Sequence, residues 1–224
     1  MQRHFERELE SLQTTIIKMG SVAEEAIRMS IAALLDGSVA TAEAVIDGDH
    51  RVNALEIEID NAIVDILALQ QPVAVDLRLI LAAQKINNDL ERIGDHAVNI
   101  AQSAIALAKR QPADILLDLP AMATIVQKML HDALDGFIHR EVSLGRKVLE
   151  QDDVIDDMNK NMMRKVVELM KSDQKSIETG LDLIRVSRNL ERVADLATNI
   201  AEEVIFIAQA RVVKHHAENK LRPR

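Results

Sequence analysis

Residues 89–101 read DLERIGDHAVNIA, and residues 189–201 read NLERVADLATNIA. Eight of the thirteen positions are identical: Leu90/Leu190, Glu91/Glu191, Arg92/Arg192, Asp95/Asp195, Ala97/Ala197, Asn99/Asn199, Ile100/Ile200 and Ala101/Ala201. Leu90, Ile93, Ala97 and Ile100 are three and four residues apart, the rhythm of one helical face, and Leu190, Val193, Ala197 and Ile200 repeat it. The polar positions, Glu-x-x-x-Asp followed four residues later by Asn, fall off that face. A polar pattern written twice asks for a reason beyond packing.

The same duplication extends outward. Val45, Val52, Ile59 and Ile66 recur every seven residues, with Leu55, Ala62 and Leu69 interleaved; Val148, Ile155, Met162 and Leu169 follow at an offset of 103. The next segments, from Leu79 to Leu107 and from Leu183 to Ile207, alternate steps of four and three. Such seams belong to long helices packed nearly parallel or antiparallel. The fold class is therefore all-α, two tandem, internally duplicated three-helix bundles made of six long antiparallel helices. Helices of roughly 30 residues would each run about 45 Å.

Turn signals divide the chain. Asp36-Gly37-Ser38 ends the first helix and caps the second, Gly as the stop and Ser as the N-cap. Gln71-Pro72 separates the second from the third, and Gln111-Pro112 ends the third. Asp118-Leu119-Pro120 opens the fourth, the stretch from His139 to Val142 replaces the first Gly turn, and Ser172-Asp173 precedes the sixth. The repeats span 1–112 and 113–212, and 213–224 (VKHHAENKLRPR) is a basic tail expected to be mobile.

Composition agrees with helices and narrows function. The chain has three Phe, no Tyr and no Trp, so a sheet rich in aromatic residues is excluded. Lys and Arg number 27 against 36 Asp and Glu, a formal charge of −9. Nucleic-acid binding rests largely on neutralising phosphates, so an acidic chain points instead to protein partners or cations. There is no Cys, hence no disulfide framework and no thiolate metal site. The opening MQRHFERELE carries charges where a signal peptide has its apolar core, and no run of about 18 apolar residues predicts a membrane span. A cytoplasmic location is expected. No Gly-rich phosphate loop, nucleophile elbow or Cys–His pair stands out, so a binding module is expected and not an enzyme.

The candidate site residues are Glu91, Asp95 and Asn99 in the first repeat and Glu191, Asp195, Asn199 and Glu202 in the second. With Ala83, Leu90 and Ala97 at heptad position a, these residues lie opposite the seam. Carboxylates at i and i+4 repel by a few tenths of a kcal/mol, which a hard cation such as magnesium, manganese or iron would relieve. A solvated helix face looks the same. The acids Glu150, Asp152, Asp153, Asp156 and Asp157 stand where they could complete a site. The histidines do not: His96 faces Leu196 in the copy, His50 faces Asp153, and no Glu-x-x-His pair of the di-iron bundles is present. No Arg or Lys cluster forms an evident phosphate cradle.

The duplicated architecture, LERIGDHAVNIA with its copy LERVADLATNIAE, and QQPVAVDLRLI before the third helix together resemble the PhoU family of bacterial phosphate-uptake regulators. The resemblance covers residues 1–212. It implies a cytoplasmic, non-enzymatic negative regulator of phosphate uptake and phosphate-starvation signalling. Such an adaptor stands between the ATPase subunit of a phosphate ABC transporter and a sensor histidine kinase, which it restrains when phosphate is plentiful. It further implies homodimers and multinuclear iron or zinc clusters on the E(D)-x-x-x-D surfaces. The second copy departs from the fuller pattern: Ala194 replaces Gly94, Leu196 replaces His96, and nothing matches Pro72, Asp76, Leu77 and Arg78. The two surfaces are therefore expected to differ in metal affinity or partner. The alternative reading is a carboxylate-based metal-binding or metal-storage helical protein.

Overall fold

The computed structural model describes residues 2–110 and 118–210. The basic tail at 213–224 and the break at Gln111-Pro112 lie outside the described residues. The rest is helical: α1 (Gln2–Asp36), α2 (Val39–Gly48), α3 (His50–Gln70), α4 (Ala74–Ala108), α5 (Leu119–His139), α6 (Val142–Ser172), a single 3-10 turn (Gln174–Ser176) and α7 (Ile177–Gln209).

The turns lie where the punctuation put them. Gly37 takes a left-handed φ of 63°, which a residue without Cβ adopts at little cost. The hydroxyl oxygen of Ser38 then accepts the backbone N–H of Thr41 at 3.3 Å, capping α2. Asp173 is extended, and its carboxylate accepts the N–H of Lys175 at 3.0 Å at the start of the 3-10 turn.

One predicted helix is interrupted. The second of the six breaks at Asp49 into α2 and α3, whereas its counterpart α6 runs unbroken. Gly48, a weak helix former, stands where α6 carries Gln151. The Asp49 N–H reaches back to the Ile46 carbonyl at 3.4 Å, and Asn53 donates to the Asp49 carboxylate at 2.9 Å. At this break α4 comes close: a Cβ on Gly94 would lie 3.3 Å from Val52 Cγ1. At the equivalent place in the second repeat, Ala194 carries a Cβ and is fully buried.

The seams are buried as read, with Val52, Ile59, Ile66, Val148, Ile155 and Met162 all inside. Leu69 differs: it is 72% exposed, because the last turn of α3 leaves the core beside the equally exposed Val73. The two repeats do not keep separate cores. Buried side chains from both halves form one contiguous cluster. α4 packs against α1, α2, α3 and α7, while α7 packs against α4, α5 and α6. These two helices run antiparallel through the middle of the molecule, pairing Lys85 with Glu203, His96 with Asn189 and Arg110 with Glu178. His131 of α5 reaches Glu24 of α1 at 3.0 Å, joining the repeats a second time. Among the described residues, no helix is long and apolar enough to cross a membrane.

Candidate functional site

The heptad reading gave α4 and α7 a single buried seam, but each is buried on two sides. Glu91 and Glu191 consequently do not stand in open solvent. Both are half-buried, and the Glu191 side chain is only 17% exposed. Burial is the first cause pushing both carboxyls above their ordinary pKa.

The second cause is like charge. Glu91 faces Asp95 on its own helix, Glu56 on α3 and Asp49 at the α2–α3 break, each of which disfavours its ionised form. Glu191 faces Asp195 and Asp156 of α6. Each acidic face is thus a contact between two helices. Amides line the first contact: Asn87 and Gln84 donate to Asp60 at 2.8 and 2.9 Å. In the second repeat Ser187 donates to Asn159 at 2.8 Å.

The faces are balanced differently. Arg192 donates to Asp195 at 2.8 Å and lies 3.6 Å from Glu191. Arg92 instead turns toward Asp89, 4.0 Å away, and Asp95 makes no ion pair among the described residues. Of the other candidates, Asn199 does not join Glu191 and Asp195. Its amide lies toward Asp89 across the α4–α7 contact, because eight residues along a helix carry it about 80° around from Glu191. Asn99 is half-buried, its carbonyl accepting from the Ser103 hydroxyl at 3.0 Å. Glu202 is also half-buried.

A hard cation suits this donor set in part. One Glu191 carboxylate oxygen, Oε2, is buried without a hydrogen-bond partner, and the clustered like charge on both faces would be relieved by a positive ion. Yet no group of three or more His, Asp or Glu is spaced to hold a metal among the described residues. The fit is to an open site of two carboxylates and water on each face.

The residues that periodicity missed lie between the repeats. Asp89 is 8% exposed, and burial raises its carboxyl to about 6 despite Arg92 and Asn199. Glu203 is similarly buried; Lys85 donates to its Oε1 at 2.6 Å, while Oε2 has no hydrogen-bond partner. His96 and Asn189 bond at 2.8 Å, and burial first, then Arg92 and Arg192, hold the imidazole below its ordinary pKa. Asp182, buried at the far end of the contact, receives Arg110 and Arg185. A regular row of such polar residues opposite the apolar seam was the available signal.

Two copies of the PhoU domain match the chain, over residues 16–104 and 119–204. The chain belongs to the PhoU family. It is 38% identical to the phosphate-specific transport system accessory protein PhoU homolog of Aquifex aeolicus, over 96% of this chain and 97% of that relative. It is 31% identical to the Escherichia coli PhoU accessory protein, over 97% of this chain and 90% of the relative. Among PhoU crystal structures, that from Pseudomonas aeruginosa superposes with a TM-score of 0.90 at 36% identity, covering 92% of this chain and all of that one. The structure of the Streptococcus pneumoniae phosphate transport system regulatory protein PhoU gives a TM-score of 0.87 at 29% identity, over 94% of this chain and all of that one. The two PhoU domains thus carry one acidic face each.

Proposed function

We propose that this chain is a non-catalytic negative regulator of phosphate uptake and phosphate-starvation signalling, an adaptor between a phosphate transporter's ATPase subunit and a sensor histidine kinase. The observation that carries this reading is near full-length similarity to phosphate-specific transport accessory proteins, with both PhoU domains matched. An adaptor moves a partner's equilibrium only by binding its states unequally. Two related but unequal acidic faces support contacts with two different partners: Asp195 is paired with an arginine and Asp95 is not. A homodimer acting in the cytoplasm is part of the proposal.

The test is binding of the purified chain to the isolated ATPase subunit and to the kinase's cytoplasmic region, with nucleotide-free and ATP-loaded ATPase compared. The proposal expects saturable binding to both partners and a difference between the two ATPase states. Equal affinity for both states, or no binding to either partner, contradicts it.

A cation role for the faces is the second reading, favoured by the like charge of Asp195 and Asp156 around Glu191, whose buried Oε2 accepts no hydrogen bond and has Arg192 only at 3.6 Å. Glu91 with Asp95, and Glu191 with Asp195, would hold iron, zinc, manganese or magnesium. Such a cation would supply positive charge for docking an acidic partner. Metal analysis after dialysis against each ion is the check, and retention unchanged by Asp95→Ala with Asp195→Ala argues against it.

A further inference from the structure

Beside the acidic faces lies a feature of opposite sign. Between α4 and α7 opens a cleft of about 320 Å³, lined by Arg92 and His96 from one helix and Arg185, Arg188, Asn189 and Arg192 from the other. No acidic side chain lines it. In a chain of charge −9, four guanidinium groups meet around one space; Asp89, Asp182 and Asp195 behind them offset three, and the charge of Arg188 and the open donors of all four face the cleft.

The arginines are held yet not used up. Arg185 donates to Asp182 at 2.8 Å and Arg192 to Asp195 at 2.8 Å, each through a single nitrogen. Arg92 stands 4.0 Å from Asp89. Arg188 makes no ion pair among the described residues, although its charge favours the ionised form of Glu191. A guanidinium carries five donors in a fixed fork, so most of their hydrogen-bonding capacity remains open. The floor is also fixed: His96 bonds Asn189 at 2.8 Å, and the Asn189 amide donates to the Arg185 carbonyl at 2.7 Å.

We propose that this cleft binds a phosphoryl dianion, either inorganic phosphate or the phosphate group of a monoester. Arginine forks match phosphate oxygens bidentately, and a tetrahedral dianion can accept from forks on both helices at once. A carboxylate, with two coplanar oxygens, satisfies fewer of them. The volume admits a phosphate together with bridging water or the first atoms of an ester. A bound anion would tie α4 to α7 and so couple the two repeats. This site goes beyond the regulatory reading and stands on the cleft alone, so its failure leaves that reading untouched.

The experiment is calorimetric titration of the full chain, with EDTA present and ionic strength held by chloride, using inorganic phosphate in one arm and methyl phosphate in the other. Saturable binding is expected in at least one arm. Binding in the phosphate arm assigns the free ion, and binding of methyl phosphate alone assigns a phosphorylated group on a larger molecule. Arg92→Gln with Arg188→Gln is expected to weaken it roughly tenfold or more, with helical content unchanged. Arg188→Gln alone, which breaks no ion pair, serves if the double variant does not fold. Arg188→Lys keeps the charge but loses the fork, and should fall between the wild type and Arg188→Gln. No binding in either arm, or binding undiminished in the arginine variants, overturns the proposal.

Discussion

Asp89 and Asn189 hold equivalent positions in the two repeats, and only the first can ionise. Burial lifts the Asp89 carboxyl from 3.8 to about 6. The folded value lies above the unfolded one, so between about pH 4 and 6 the native chain binds more protons. Stability from this group is therefore greatest at low pH and falls as pH rises through that window. Asp89→Asn, which copies the second repeat, is expected to stabilise the protein at pH 7.5 by roughly 1–3 kcal/mol and to flatten the fall. Thermal unfolding at pH 4.5 and 7.5 checks this, and an unchanged pH slope contradicts it. Asp95 and Asp195 lie outside the core. Changing both to Ala should leave circular dichroism intact; a large loss of helix would show that they support the fold. At this scale the sequence was half legible. The identities and pairing of Glu91, Asp95, Glu191 and Asp195 stood out by repetition. Of their partners, Asp156 was among the acids read as able to complete a site, whereas Glu56 on α3 and Asp49 at the α2–α3 break lie on other segments, which no spacing along one helix can announce. The arginine cleft was not read at all: Arg185, Arg188 and Arg192 lie at i, i+3 and i+7, but their approach to Arg92 depends on how α4 crosses α7.

Helix boundaries were the most readable feature, because Gly37, Ser38, Pro72 and Asp173 act locally through φ, caps and missing donors. The break at Asp49 was missed because the apolar seam of Val45, Val52 and Ile59 runs straight through it. Periodicity reports which face is buried, not whether each backbone bond is made. Gly48 has open space around its Cα and an ordinary helical φ. Gly48→Ala is accordingly expected to stabilise by about 0.5–1 kcal/mol through helix propensity, raising the melting temperature by about 1–4 °C. A fall in melting temperature would mean that the break itself requires glycine.

Across the whole molecule, the repeats share one core and meet along α4 and α7. That arrangement escaped the sequence because a heptad accounts for one seam per helix, whereas these two helices are enclosed on both sides. The second side is polar, with Asp89, Asn189 and Glu203 buried there, so no hydrophobic pattern marks it. A shared core predicts that both repeats unfold together. Scanning calorimetry of the full chain should give one transition whose van't Hoff and calorimetric enthalpies agree. Two resolved transitions would mean that the contact between repeats adds little.

The regulatory role is tested most directly in the source organism by deleting the gene and measuring alkaline phosphatase activity during growth in excess phosphate. High activity in the deletion strain, restored to low by the wild-type gene, is the predicted result. Activity that stays low after deletion contradicts the negative-regulator account.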